Sequence, residues 1–436
     1  MKNTVKDELE QGYLYALPLI MSEAVASGNK RNKFVHKPGP ADAERKIVAR
    51  PGVDQVASYA WLDLSDTPMI LTTPPSYSPE YPEGRYLNYQ IMDAWTNVIA
   101  LLGTGFVNGN NGGTYIFVGP DYTGQIPDGM YRIDSPTNFT IIWSRTFCLD
   151  LSEMPAITEL KSHFKLEPLL PDRCEPAPAL VYPAPAGTPA DMVAGLDIET
   201  FFSFFNQLLL LNPPLDYDKP ILGMLSKYGI GPGLDFRMDQ FDVDLREELN
   251  KDLIPGILGN VADMFWETSD KVNQWYYSPD DLGYYKTNYR LRGAVAVNGY
   301  AANPTEMCQY LTADSDCSGQ PLSGTHAYRI HFDKKDLPPI EKLGFWSLVA
   351  YDGKGYYLIA NPIKRYRLSG MSKELKYNED GSLDLYIQNE PPAEEWQGNY
   401  LPVCTDEQYC LCLRLYLPLA EVDDRTWKPP VIERLY

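Results

Sequence analysis

The chain has 436 residues, 44% of them apolar, and carries 38 Lys and Arg against 58 Asp and Glu, a formal net charge of −20. The apolar fraction excludes a disordered chain, and the acid excess excludes a binder of nucleic acid or anionic membrane, which needs a basic face. With 37 Pro, 32 Gly and 31 Tyr, the composition points to a turn-rich, mainly β protein of two or three domains.

Residues 6 to 29 predict a packing helix, with Leu9, Tyr13, Ala16, Leu17 and Ile20 near one face, inside an N-terminal helical segment 1–45. No apolar leader precedes it. The longest apolar run, Phe201 to Leu211, is about half the ~20 residues of a membrane helix. The expectation is therefore a soluble chain, cytoplasmic or otherwise without a visible signal peptide. Residues 46–170 read as strands joined by turns, starting with the alternating run Ala57 to Leu64 and continuing through Met69 to Pro75, Tyr115 to Gly119 and Phe139 to Trp143. The Gly/Asn-rich stretch Gly103 to Gly113 holds neither GxGxxG nor a terminal Lys-Ser/Thr, so no phosphate cradle is expected there.

Six prolines between 171 and 190 predict an extended connector and the main domain boundary. Helical signals fill 191–287. Asp197 caps a run from Ile198 to Leu211 that Pro213 terminates, and residues 235–252 set seven acids against three bases on what reads as a solvated helix face. From 288 to 436 short strands return, among them Tyr328 to Phe332, Trp346 to Tyr351, Leu383 to Ile387 and Tyr409 to Leu417. Turns at Asp352-Gly353 and Asp380-Gly381 separate them. Many short strands so spaced argue for a sandwich or jelly roll.

The seven cysteines (148, 174, 308, 317, 404, 410 and 412) form no CxxC pair. Reduced, mostly buried thiols are expected, with Cys308 and Cys317 placed to bridge across a short acidic loop. The four histidines are not spaced with the cysteines as zinc motifs are, and no metal or cofactor is expected.

Polar residues on apolar strands are the candidates for chemistry. Arg329 and His331 share one face of the strand 328–332, an arrangement that can bind a carboxylate or move a proton. Asp63 and Asp93 interrupt apolar surroundings, where burial would raise a carboxyl pKa and suit it to acid–base work; the competing reading is a structural acceptor paired with Arg85 or Arg145. Asp352 carries the same ambiguity beside a plain hairpin turn. Arg365 and Arg414 either face a cavity or pair across strands. Arg145 and Arg365 for charge, and Trp346 and Tyr351 as aromatic platforms, are the expected substrate contacts.

Dispersed motifs add a family resemblance. In the last third they are Leu337-Pro-Pro339, Gly344-Phe-Trp-Ser347, Tyr351-Asp352, Asn361-Pro362, Arg365-Tyr366, Asp380-Gly-Ser-Leu383, Asn399-Tyr-Leu-Pro402, Leu413-Arg-Leu-Tyr416 and Trp427-Lys-Pro-Pro430. This part resembles the DUF1214 family. The first third, with Ala60-Trp-Leu-Asp-Leu64, Arg85-Tyr86, Asp93-Ala-Trp-Thr-Asn97, Gly119-Pro120, Ser135-Pro-Thr137 and Arg145-Thr146, resembles the DUF1254 family. Where that family often has Asn-x-Asp-Thr, this chain reads Gly52-Val-Asp-Gln55. The resemblance implies an immunoglobulin-like sandwich over 46–170 and a jelly roll over 288–436, so the expected fold is mainly β with a helical insert. It names no chemistry. The leading expectation is a hydrolase or lyase acting on a saccharide or small organic acid in a cleft between the sandwiches, with His331, Arg329 and one of Asp63, Asp93 or Asp352 as catalytic groups. The alternative is a non-catalytic, oligomeric, lectin-like or capsid-like protein. The expected partners are a small molecule or glycan and further copies of the chain, with no nucleic acid and no membrane.

Overall fold

The computed structural model describes residues 2–44, 46, 49–173, 182–183 and 187–435. Cys174 and prolines 176, 178 and 185 of the expected connector lie outside these residues. The first sandwich is built from β1 (Val35–His36), β2 (Gln55–Asp63), β3 (Met69–Thr73), β4 (Leu87–Asp93) and β5 (Val98–Gly103). It continues through β6 (Val107–Asn108), β7 (Gly113–Val118), β8 (Tyr131–Asp134), β9 (Phe139–Phe147) and β10 (Lys165–Pro168). A six-stranded sheet, β1-β2-β9-β4-β5-β6, packs on a four-stranded one, β10-β3-β7-β8. Leu62, Ile91 and Ile142 of the first meet Leu71, Phe117 and Ile133 of the second in one buried core.

The second sandwich repeats this plan with β11 (Lys271–Val272), β12 (Trp275–Tyr277), β13 (Cys308–Ala313), β14 (Tyr328–Phe332) and β15 (Ile340–Asp352). Its remaining strands are β16 (Arg367–Ser369), β17 (Leu383–Gln388), β18 (Tyr400–Pro402), β19 (Tyr409–Pro418) and β20 (Ile432–Arg434). The six-stranded sheet is β11-β12-β13-β19-β15-β16 and the four-stranded one β18-β17-β14-β20. Leu311, Leu348 and Leu413 pack against Ile330, Leu385 and Ile432 between them. A bulge lies in β15 between Ile340 and Phe345, and a Cβ at Gly344 would sit 2.2 Å from the Tyr416 carbonyl, so only glycine lets the two strands approach there.

Among the described residues the α-helices are α1 (Lys2–Ala26), α2 (Met154–Ser162), α3 (Pro189–Ala194), α4 (Ile198–Leu211), α5 (Lys219–Leu225), α6 (Val243–Glu248), α7 (Ile254–Trp266), α8 (Tyr289–Asn298) and α9 (Ala420–Asp423). The sequence predicts one buried face for α1. Instead, every residue from 12 to 24 is buried, Leu14, Tyr15 and Leu19 included, because α1 is the centre of a helical unit rather than a surface helix. Tyr13 stacks on Phe201 of α4 at 4.1 Å, and Gly293 lets α8 come against the Leu14 backbone. The segments expected as separate, 1–45 and 191–287, therefore share one core, which α8 also enters. Residues 271–277, assigned from sequence to the helical segment, are strands of the second sandwich.

The central strands of the two six-stranded sheets are buried on both faces. Every position of β4 is buried, and all but the last of β19. Their outer faces are covered by one another and by the segment around Val53: Tyr86 and Phe147 of the first sandwich pack with Phe345 and Tyr416 of the second, and Ala43 and Val53 cover Val349 and Cys412. The outer four-stranded sheet of the second sandwich keeps a wet face, so β14 alternates between buried and more exposed positions. The six described cysteines are free thiols. Cys308 is buried in β13 and Cys317 is exposed, and the bridge weighed between them is absent. Among the described residues no helix is long and apolar enough to cross a membrane.

Candidate functional site

A cavity of about 330 Å³ opens where the covered faces of the two large sheets meet α7 and the loop after α8. Strand periodicity explains its lining. Gln55 and Ala57 of β2, Trp143 and Arg145 of β9, Tyr310 and Thr312 of β13, and Cys412, Arg414 and Tyr416 of β19 are spaced two apart, so each strand turns one face to the cavity. Register sets neighbours side by side: Ala57 opposite Arg145, and Tyr310 opposite Arg414. Phe265 and Trp266 come from the last turn of α7, Asn298 to Asn303 from α8 and its following loop, and Arg50 to Gly52 from the approach to β2.

Four cations line this cavity, Lys37, Arg50, Arg145 and Arg414, and no Asp, Glu or His does so among the described residues. Their partners are neutral. Arg145, 9% exposed, donates from Nη1 to Gln90 Oε1 at 2.9 Å and from Nη2 to the Ala301 carbonyl. Gln90 in turn donates to the Ala302 carbonyl at 2.9 Å, so the pair clamps the loop that follows α8. Arg414, 3% exposed, donates from Nη2 to the Arg50 carbonyl at 3.0 Å, while its Nη1 is buried without a partner. The rings of Tyr351 and Tyr310 lie 5.6 and 5.7 Å from its guanidinium carbon. Arg50 lies over Tyr356 at 3.7 Å and near Trp266 at 5.8 Å, and its Nε is likewise buried and unpartnered.

Asp54 holds the two sandwiches in register beside this cavity. It is fully buried at the entry to β2. Its Oδ2 accepts from the Ser347 hydroxyl at 2.6 Å and from Tyr416 at 3.5 Å, and its Oδ1 lies 3.2 Å from Arg367 Nε. Arg367 also donates to the carbonyls of Val53, Cys148 and Leu149. Tyr310 accepts from the backbone N–H of Asn303 at 3.1 Å. Burial pushes the Tyr310 hydroxyl up to about 12 and that of Tyr416 well above its ordinary value, so both keep their protons at neutral pH.

Of the nine residues expected to carry chemistry, only Arg145 lines the cavity. Tyr351 stands just behind it, donating to the Pro51 carbonyl at 2.7 Å. Arg329 and His331 occupy the wet face of β14, 38% and 40% exposed at the side chain, where Arg329 pairs with Glu433 at 2.7 Å and His331 with Asp384 at 2.8 Å. The pair shares a face, as the alternation predicts, but that face points away from the covered sheet. Asp384 raises the His331 pKa through their hydrogen bond. Asp63 accepts from the backbone N–H and hydroxyl of Ser65, and Asp352 accepts from the backbone N–H groups of Lys354, Gly355 and Tyr357; both close turns. Asp93 is buried and accepts from Trp95, Asn97 and the Asn97 amide; burial lifts its pKa to about 6 against those bonds. It lies beside the helical unit, not the cavity. Trp346 packs in the second core near Phe332, and Arg365 donates to the carbonyls of Gln397 and Tyr400.

Sequence reasoning weighed Arg414 as a residue facing either a cavity or a neighbouring strand, and it faces the cavity. It missed Arg50, Lys37, Trp266 and Asn303. Those four lie in loops or at an element end, where no periodicity marks a common face. Asp54 stood in the segment that departs from the family pattern, and an acid beside the two glycine and valine positions was the available signal.

The family described as a protein of unknown function, DUF1254, matches residues 31–168, and that described as a protein of unknown function, DUF1214, matches 308–420. Among solved structures, the VPA0106 protein from Vibrio parahaemolyticus is similar over 99% of this chain and 100% of its own, with 18% identity and a TM-score of 0.71. An uncharacterized protein from Burkholderia cenocepacia aligns over 97% of this chain and 87% of its own, with 11% identity and a TM-score of 0.45. No curated protein matches. The likeness to the Vibrio protein is one of fold.

Proposed function

The chain belongs to the two-domain family in which a DUF1254 segment precedes a DUF1214 segment, and from that premise we propose that it binds a small organic anion in the cavity between its sandwiches. One observation carries this reading: Arg50, Arg145, Arg414 and Lys37 line a single cavity with no carboxylate lining it among the described residues, in a chain whose net charge is −20. An uncompensated buried cation costs several kcal/mol, and a bound anion offsets that cost. The reading keeps the small organic acid and the inter-domain position expected from sequence, and Arg145 as a substrate contact. Hydrolysis or elimination also needs a group that moves a proton. The lining tyrosines hold theirs at neutral pH and His331 lies on another face, so the proposal is confined to binding. We read the strand orders as compatible with the immunoglobulin-like and jelly-roll assignments that the resemblance implies.

Calorimetry on the full chain tests this with pairs of carboxylates and their neutral amides. At least one carboxylate should bind tenfold or more tighter than its amide, with the preference lost in Arg414→Met. Equal affinity for acid and amide across the pairs contradicts the proposal.

A further inference from the structure

We propose that the anion is a monocarboxylate carried on a flat apolar body such as an aryl ring; this rests on the anion-binding reading above and narrows it. The first argument is the number of free donors. Both Nη groups of Arg145 are engaged, with Gln90 and with the Ala301 carbonyl. The buried guanidinium N–H groups left unpartnered at the cavity are Arg414 Nη1 and Arg50 Nε. These two residues are in contact, since Arg414 Nη2 donates to the Arg50 carbonyl at 3.0 Å. Each of these two neighbouring residues holds one buried guanidinium N–H without a hydrogen-bond partner, and a charge-assisted bond from such a group to a carboxylate is of the strong kind. A second carboxylate would meet, among the described lining residues, only Lys37, which is exposed and screened by solvent, and neutral amides such as Gln55.

The second argument is the rest of the wall. Phe265 and Trp266 of α7 form one edge-to-face pair, with ring centroids 4.6 Å apart. Trp143 and Tyr300 form another at 5.9 Å, and Trp143 is held from behind by stacking on Tyr59 at 4.8 Å. Ala262, Leu282, Ala301 and Ala302 continue the same lining without a polar side chain. Such walls favour an aromatic or planar hydrocarbon body over a hydroxylated one. The volume, about 330 Å³, has room for roughly ten water-sized groups, which suits one ring with a short acid arm. The guanidinium of Arg50, 5.8 Å from Trp266, joins the charged end to the aromatic end.

The test is calorimetry on the full chain with phenylacetate, phenylacetamide, acetate, citrate and glucose as probes, under conditions where a Kd of about 1 mM registers. Phenylacetate should bind about tenfold or more tighter than acetate, citrate or glucose. Trp266→Ala should weaken phenylacetate by about tenfold while leaving any acetate binding unchanged. Arg414→Met should abolish binding, and Trp266→Ala, at a half-buried helix end, keeps the test open if Arg414→Met does not fold. Citrate or acetate binding as tightly as phenylacetate overturns this inference and leaves the anion reading standing. Phenylacetamide matching phenylacetate overturns the anion reading itself. Glucose binding best, or no probe binding, overturns both.

Discussion

The outer four-stranded sheet and the inner six-stranded sheet of the second sandwich treat an arginine in opposite ways. On β14, Arg329 stands between Tyr328 and Ile330, is 38% exposed, and meets Glu433 at 2.7 Å. On β19, Arg414 stands between Leu413 and Leu415, is 3% exposed, and meets only a carbonyl and aromatic rings among the described residues. Each strand turns apolar side chains to the core of the sandwich and its arginine to the opposite face. What differs is whether a second layer covers the polar face. Solvent and a carboxylate neutralise Arg329, whereas Arg414 is enclosed between the sandwiches, where its described contacts are a carbonyl and aromatic rings. A buried polar residue is therefore the informative one, and exposure separates a surface ion pair from a site.

Four measurements break or sharpen that contrast. The largest effect is expected at the covered face from Asp54→Ala, which leaves the mostly enclosed Arg367 without its carboxylate and removes the acceptor of Ser347; denaturant unfolding should show a loss of about 3–5 kcal/mol. The matched change on the wet face, Glu433→Ala, where the carboxylate is 48% exposed, should cost far less, and equal losses would erase the distinction between the sheets.

Next comes pH. Asp93 is buried, and its folded pKa, about 6, lies above the ordinary carboxyl value. Ionising it therefore costs more in the fold than in the unfolded chain. Its contribution is fullest below about pH 4 and is lost between about pH 4 and 6, on the order of 2–3 kcal/mol. Asp93→Asn should flatten that part of the stability profile; an unchanged profile removes Asp93 as its source. His331, raised by Asp384, contributes below about pH 6.5 and loses that contribution as pH rises through its folded pKa, by no more than a few tenths of a kcal/mol after solvent screening.

Third, Arg414→Met should leave the ligand-free chain unchanged or more stable by up to about 2 kcal/mol, since it removes an uncompensated buried charge and keeps the packing. A large loss of stability instead would assign Arg414 a structural role. The smallest effect is expected from Arg329→Ala, at or below about 1 kcal/mol in thermal unfolding, because its pair with Glu433 is exposed.

Much of the architecture was legible in the residues. Alternation marked the strands around Trp61, Ile330 and Leu413, Asp197 and Pro213 bounded α4, and the dispersed motifs marked both matched segments. The helical unit was only half legible. The spacing of Leu9, Tyr13 and Ile20 suggested one apolar face, while Leu14, Tyr15 and Leu19 on the other sides are equally buried, as befits a helix enclosed by its neighbours. For the site, alternation put Arg329 forward as a catalytic group and left Arg414 facing either a cavity or a neighbouring strand, with Asp63, Asp93 and Asp352 as carboxylates in apolar or turn settings. Hydrogen bonds to neighbouring backbone then claimed all three acids for local structure.

Local order was thus written in the chain: period two for strands, caps and prolines for helix ends, acid excess for what the surface repels. These depend on neighbours a few residues apart, and the covalent chain sets those distances. Which strand face is covered depends on contacts hundreds of residues apart, such as Asp54 with Ser347 or Arg414 with the Arg50 carbonyl. No periodicity encodes them. Packing of the two sandwiches against α7 and the loop after α8 gathered four cations around one cavity, and the same packing left Arg329 and His331 in water.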